Sequence, residues 1–351
     1  MNRNYNIELL ALKNESYEQM QQIMMGLYNN EEILNFLNKN TDSLLSEETL
    51  QEYRKAVIDS GIYLIDTGQF DKPVIDIVGT GGDGKLTANI STFASLICAA
   101  TNLVKAAKYG NKAASGICGS MDIFEALGIK IELSEDQVVR QIRNIGFAPL
   151  YARHIYPGGK FVAEARKVIG TPTIFNLLFS SSRPFKGKLH FIFGCASENQ
   201  MITVEKFFKN DPEISCMIVN GQDGTDEISV SGNGKTNYSL LHKGKVKRGV
   251  LDCYELFNIS PNELSFIQVN SKKEAVNLFR DALDPMNSGE KIDALRNAGI
   301  INAAIALLIA LDEDPSDIGK ANKYILLARY ILFSGKVLEL VNELNSISHI
   351  V

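Results

Sequence analysis

Histidine is scarce in this chain: 351 residues hold only His154, His190, His242 and His349. None pairs with another at metal-ligand spacing, which argues against a zinc site, and no GxSxG elbow accompanies them for a serine hydrolase. Chemistry must rest on other groups. The five cysteines, Cys98, Cys118, Cys195, Cys216 and Cys253, are odd in number, widely spaced and without a CxxC pair, so they read as reduced packing residues. A surplus of positive charge is lacking as well. With a net charge of −5 and a pI near 5.6, the surface as a whole repels nucleic acid and anionic membranes, and a polyanionic ligand needs a local exception. No stretch reaches the roughly 18 to 20 consecutive apolar residues of a membrane span, and the first ten residues lack the apolar core of a signal peptide. These absences lead to the expectation of a cytoplasmic protein with no nucleic-acid or membrane partner.

What is present is enough for a sizeable core, 45% hydrophobic residues, in a length that sets a prior of about two domains. Residues 1 to about 72 read as helices. From Tyr17 to Leu37 the apolar positions recur every three and four residues, interrupted near Asn29, and a second helix starts at Ser46. The character changes at Pro73. Strands are predicted at Val74–Val78, Leu103–Ala107, Ile129–Leu133, Leu189–Phe193 and Cys216–Val219, with helices such as Ser91–Ala100, Glu135–Ile145 and Glu198–Phe208 between them. That alternation predicts an α/β domain over residues 73–351. Short alternating runs from Asp226 to Asp252 read as hairpins beside the main sheet, and the helical pattern returns from Lys272, through Ile292–Leu311 and Ile318–Phe333.

The predicted strand Val74–Val78 runs into a loop, Gly79 to Lys85, with glycine at 79, 81, 82 and 84. A helix follows it. Such a loop turns successive backbone N–H groups toward one point, and the helix N-terminus adds partial positive charge there, a combination that suits phosphate. Gly79, Gly81 and Gly84 satisfy the dinucleotide fingerprint, but the acid expected about 20 residues later is missing. The P-loop pattern fails where it needs Ser or Thr, because the residue after Lys85 is Leu86. A plain glycine turn with no ligand stays open. Between Asp83 and Asp122 the only charged residues are Lys85, Lys105, Lys108 and Lys112, a basic interval in an acidic chain. A second small, polar loop, Lys108 to Gly116, follows the next predicted strand, and Ser120 lies where the next helix opens. Two such loops converging at the C-terminal edge of a parallel sheet suit a ligand with two phosphate groups. Asp226 and Glu227, after the run Cys216–Val219, are adjacent carboxylates of the kind that hold magnesium beside substrate phosphates, although Asp-Gly turns of this kind are commonly only solvated.

Asp76-Ile77-Val78-Gly79-Thr80-Gly81-Gly82-Asp83-Gly84, Asn89-Ile90-Ser91-Thr92, Lys108-Tyr109-Gly110-Asn111, Gly119-Ser120, Phe175-Asn176, Asp226-Glu227-Ile228-Ser229 and Asn302-Ala303-Ala304 together resemble the anthranilate phosphoribosyltransferase family in order and spacing. The resemblance covers most of the chain. It implies an α/β fold with a small α-helical N-terminal domain, of nucleoside phosphorylase or phosphoribosyltransferase type, and a homodimer formed through residues 1–72 joined by helices near 172–185. It implies transfer of phosphoribose from phosphoribosyl pyrophosphate to an aromatic amine, anthranilate, in tryptophan biosynthesis, with Mg2+. It further implies that Gly79, Gly82, Asp83, Thr87, Asn89, Ser91, Thr92, Lys108 and Ser120 contact the donor. Ser91, Asp226 and Glu227 would contact magnesium, and Gly79, Asn111 and Arg166 would face the acceptor, a guanidinium being a sensible partner for a carboxylate. No acid or base is implied.

Three departures from the family pattern fall on the acceptor side. Tyr109 stands where the family usually has histidine in Lys-His-Gly-Asn. An insertion at Ala152–Ile155 precedes Tyr156, at the position of another histidine, and the usual Asn-x-Leu-Gly-Pro-Leu reads Asn176-Leu177-Leu178-Phe179-Ser180-Ser181. A phosphoribosyltransferase for a different aromatic acceptor therefore stands as the alternative, with a non-enzymatic nucleic-acid-binding relative behind it.

Overall fold

The interruption near Asn29 is a helix boundary with its own chemistry. In the computed structural model, which describes residues 15–40, 45–81, 83–113, 117–242, 244–257, 259–260, 262–314 and 317–348, helix α1 (15–24) ends before it and α2 (Asn30–Lys39) begins after it. The Asn29 side chain accepts the Glu32 N–H at 3.0 Å while the Glu32 carboxylate accepts the Asn29 N–H at 2.7 Å, a capping box. Ser46 caps α3 (Glu47–Asp59) by accepting the Thr49 N–H at 3.1 Å.

The α/β part follows as β1 (Ile65–Asp66), β2 (Val74–Gly79), α4 (Ile90–Ala100), β3 (Lys105–Gly110), α5 (Ser120–Ala126), α6 (Glu135–Asn144) and β4 (Phe147–Tyr151). Next come α7 (Ala152–Ile155), α8 (Ala163–Ile169), α9 (Ile174–Ser181), β5 (Phe185–Lys186), β6 (Leu189–Gly194) and α10 (Glu198–Phe208). The chain continues through β7 (Ile214–Gly221), β8 (Lys235–His242), β9 (Lys245–Asp252), α11 (Cys253–Phe257), α12 (Lys272–Leu283), α13 (Glu290–Ala310), α14 (Ile318–Phe333) and α15 (Lys336–Ser348). Seven strands form one sheet in the order β4-β3-β2-β6-β7-β8-β9, and β1 pairs with β5 apart from it. The first five of the seven are parallel and the last two antiparallel. Of the hairpins expected between Asp226 and Asp252, β8–β9 extends the main sheet, whereas Gly232-Asn233-Gly234 is the turn that leads into β8.

One strand prediction fails. Residues 129–133 form no ladder, although Ile129, Ile131 and Leu133 are buried in alternation. The Ile129 N–H bonds back to Phe124 O and the Lys130 N–H to the Ser348 hydroxyl, so the alternation belongs to an extended connector between α5 and α6. The missed strand of the main sheet is β4, whose Pro149 obscures it; β4 lies at the sheet edge, where a missing N–H is tolerated.

Period-two alternation on β2 splits the core. Ile75 and Ile77 join the cluster of α4, α12, α13, α14 and α15, while Val74 and Val78 join the cluster that holds Met20, Ile33, Leu50 and Val57 of the N-terminal helices. Helices α2 and α3 pack on α8 and α9. Helix α13 is long and apolar enough to cross a membrane by length and composition, but 83% of its most apolar window is buried inside the fold, as a central core helix requires. All five cysteines are free, four of them buried.

Candidate functional site

After β2 the chain crosses to β3 on one side, and after β6 it crosses to β7 on the other, so the sheet changes winding direction between β2 and β6. A crevice opens outside the strand ends at such a point. Its floor is a register pair of glycines, Gly79 at the end of β2 and Gly194 at the end of β6. Asp226, from the β7–β8 connection, lies directly over both. A Cβ at Gly79 would strike its carboxylate oxygen, and one at Gly194 its carbonyl oxygen, so glycine is required at both positions by close approach. Gly194 carries no motif signal and is legible only as a glycine ending an apolar strand.

The first glycine loop is pinned at several points. Thr80 N–H donates to Gly194 O at 2.9 Å. Gly81, with φ of 62°, donates its N–H to Asp226 Oδ2 at 2.9 Å. Asp83 Oδ1 accepts the Lys85 N–H, and its Oδ2 is buried without a partner. Thr87 forms a bridge with Gln268, and the Asn89 side chain donates to Cys118 O at 3.0 Å, tying this loop to the second one. Asn89 Oδ1 and Thr92 Oγ1 are also buried without partners. Gly82 lies outside the described residues.

The second loop leaves β3, where Lys108 is 2% exposed and its Nζ donates to Tyr109 O at 3.0 Å. This lysine is no solvated surface group. Burial pushes its pKa down to about 8, against the charges of Glu227 and Asp226, which hold it up. Ser120 opens α5 with its hydroxyl over Gly110, where a Cβ would collide with it. Asn111 is exposed at the end of β3. The expected run of four lysines needs correction: Lys105 is spent on Arg143 O at 2.9 Å and Lys112 on Glu125 at 2.9 Å. The stem of Lys85 lies against Gly224 of the carboxylate loop and Lys108 feels the charges of Glu227 and Asp226, so these two of the four lie beside the carboxylate loop.

The carboxylate loop is shaped by Asp223, whose Oδ1 accepts from the Thr225 N–H and hydroxyl and whose Oδ2 accepts from the Ser229 and Ser231 hydroxyls. Asn302, fully buried on α13, accepts the Ile228 N–H and donates to Ile228 O, both at 3.2 Å. Asp226 and Glu227 are thereby held side by side, with Glu227 accepting the Ser91 N–H at 3.2 Å. Burial, and then the charge of Asp83, push Asp226 up to about 6; burial, and then Asp226, push Glu227 up to about 8. Among the described residues no three His, Cys, Asp or Glu side chains form a metal-holding group. Two hard carboxylate oxygens that repel each other in a buried crevice nevertheless fit magnesium, which takes one or two protein carboxylates and completes its shell with water and substrate phosphates.

On the side expected to face the acceptor, Arg166 of α8 donates to Asn176 Oδ1 at 3.1 Å, and the Ser180 hydroxyl, one turn further along α9, donates to Gly79 O at 3.3 Å. A polar row thus runs from α8 to the crevice floor. Phe179 stacks on Phe175 with ring centroids 5.6 Å apart. The two tyrosines at the departing positions do not border this row. Tyr109 and Tyr156 are buried at 2% and 1% exposure, edge-to-face at 6.4 Å, because alternation on β3 turns Tyr109 into the core shared with the N-terminal helices.

Residues 71–326 match the family described as "Glycosyl transferase family, a/b domain". An anthranilate phosphoribosyltransferase of Methanobrevibacter smithii is 33% identical over 329 residues, covering 92% of this chain and 90% of that protein. One from Legionella pneumophila strain Corby is 31% identical over 343 residues, 96% of this chain and 94% of that one. The crystal structure of anthranilate phosphoribosyltransferase from Thermus thermophilus superposes with a TM-score of 0.81 at 28% identity, covering 96% of this chain and 95% of that chain. The Saccharomyces cerevisiae enzyme in complex with PRPP and Mg shares the fold, with a TM-score of 0.84 at 23% identity over 97% and 94% of the two chains.

Proposed function

This chain belongs to the anthranilate phosphoribosyltransferase family, and we propose that it transfers phosphoribose from phosphoribosyl pyrophosphate to anthranilate, releasing pyrophosphate, in tryptophan biosynthesis. The observation that carries the reading is the meeting of Asp226, Glu227, Lys108 and the Gly79–Gly84 loop at the switch point of the sheet. In this reading Gly79, Gly82, Asp83, Thr87, Asn89, Ser91, Thr92, Lys108 and Ser120 hold the donor, and Gly79, Asn111 and Arg166 face the acceptor. Ser91, Asp226 and Glu227 hold Mg2+, which when bound neutralises charge on the pyrophosphate.

The reaction breaks the bond from the anomeric carbon to pyrophosphate, forms a C–N bond to the acceptor, and releases an amine proton. Charge grows on the leaving group as the carbon gains oxocarbenium character. In this reading the Lys108 ammonium, beside the two carboxylates, stabilises that charge together with the metal; one such donor is typically worth about 3 to 4 kcal/mol when removed. The amine is nucleophilic as it stands, so Arg166 has only to orient the ring through its carboxylate, and positioning replaces a strong base. This accounts for an enzyme with so little histidine. We further propose a homodimer built through the N-terminal helices with α9, and a cytoplasmic location. Phe179 and Ser180, in place of glycine and proline, keep a different aromatic acceptor as the second reading.

The test is loss of anthranilate fluorescence in a mixture of enzyme, Mg2+ and phosphoribosyl pyrophosphate. Loss that requires all three is expected. It should vanish in an Asp226→Asn, Glu227→Gln double variant that still unfolds cooperatively; full activity in that variant contradicts the metal assignment.

A further inference from the structure

A buried cation stands where the donor and acceptor halves of the crevice meet. Arg183, just past α9, is 2% exposed. Its guanidinium forms an ion pair with Asp76 of β2, donates from Nη1 to Ser180 O at 3.2 Å, and lies over the Tyr109 ring at 4.8 Å and the Phe191 ring at 5.7 Å. Asp76 in turn accepts the Tyr109 N–H at 3.3 and 3.4 Å to its two oxygens. Each of these partners is one step from the site. Ser180 holds the Gly79 carbonyl through its hydroxyl, Asp76 lies on the strand that ends at Gly79, and the Tyr109 carbonyl accepts from Lys108 Nζ. One side chain therefore joins α9, which carries Asn176 and Ser180, to the ends of β2 and β3, from which both phosphate loops spring.

Stability alone does not call for this arrangement. A buried ion pair usually gains little over apolar packing of the same volume, because both charges are stripped of water. A second arginine, the half-buried Arg54, donates to Ser181 O at 3.0 Å, so the C-terminal carbonyls of α9 have another cation to satisfy them. The Tyr109 and Tyr156 hydroxyls and Arg183 Nε are buried without hydrogen-bond partners, a costly environment for a simple brace.

We propose that Arg183, through Asp76, is a positioning residue that fixes the spacing between the acceptor helix α9 and the two phosphate loops, so that the acceptor amine meets the donor carbon. The inference rests on the phosphoribosyl-transfer reading. Because a misplacement of about 1 Å can cost on the order of a hundredfold in rate, Arg183→Met, apolar and of similar length, should lower kcat/KM for anthranilate by about tenfold or more.

The experiment compares the parent chain with Arg183→Met, Arg183→Lys and Asp76→Asn. It measures kcat and KM for each substrate, the dissociation constant of Mg2+-phosphoribosyl pyrophosphate, and the unfolding midpoint. The proposal expects donor affinity within a few-fold of the parent, loss concentrated in the acceptor KM and kcat, and partial rescue by lysine. A folded Arg183→Met chain with kcat/KM for anthranilate within twofold of the parent overturns it, as does a loss that scales only with the unfolded fraction. Should Arg183→Met fail to fold, Asp76→Asn and Arg183→Lys decide by the same criteria. A parent chain that never turns anthranilate over contradicts the underlying reading, whereas an active parent with indifferent variants contradicts this inference alone.

Discussion

Asp226 and Glu227 keep their protons to higher pH than carboxylates in water, since burial, and after it a neighbouring carboxylate, opposes their ionisation. Magnesium must displace those protons, so binding strengthens as pH rises. With Asp226 pushed up to about 6 and Glu227 up to about 8, the affinity for Mg2+ should climb from pH 6 to 8, by up to about tenfold per unit for each proton displaced, and level off above. Titration of Mg2+ alone, followed by the shift in unfolding midpoint at several pH values, reads this directly; an affinity flat across that window contradicts the placement of the metal. At this scale the sequence is informative where neighbouring residues act together. The glycine loop, Lys108 and the carboxylate pair are each visible in a few consecutive positions. Gly194, Asp76 and Arg183 are not, because their roles come from pairings between distant strands and helices: Gly194 is needed only because Asp226 lies over it, and Arg183 matters only beside Asp76.

The elements place these residues by simple rules. Alternation on β2 and β3 turns Asp76 and Tyr109 to the side of the N-terminal helices, while Ile75 and Ile77 face the opposite core. The connection between β7 and β8 is where the carboxylates emerge, and α13 steadies it from behind through Asn302. Asn302→Ala leaves the buried Ile228 N–H without its partner, at a cost of about 1 to 3 kcal/mol. The expected result is a lower unfolding midpoint together with a raised Mg2+ requirement for turnover. An unchanged Mg2+ requirement would separate α13 from the site. Helix periodicity in the sequence marks most of α4, α6, α10, α13 and α14. The failure at residues 129–133 has a physical cause, since alternating burial arises wherever an extended segment is pressed between two layers, with or without a neighbouring strand.

For the whole molecule, a net charge of −5 hides the way charge is distributed. Lys85 and Lys108 lie beside the carboxylate loop, Lys105 and Lys112 are engaged elsewhere, and Asp226 and Glu227 lie close enough to Lys108 to raise its pKa. In the proposed reading an acidic protein can thus bind a polyanion, with metal and lysine together supplying the local exception. The core shared between the N-terminal helices and one sheet face holds Tyr109 and Tyr156, while Phe179 and Ser180 lie on α9, so two of the three departures noted in the sequence are packing positions and one lies beside the crevice floor. The most direct measurement offers the enzyme phosphoribosyl pyrophosphate, Mg2+ and an equimolar mixture of anthranilate with its 3-amino and 4-amino isomers, and identifies the phosphoribosyl adducts by mass spectrometry. An adduct dominated by anthranilate is the predicted result; an adduct on another amine, or pyrophosphate release with no anthranilate adduct, would contradict it.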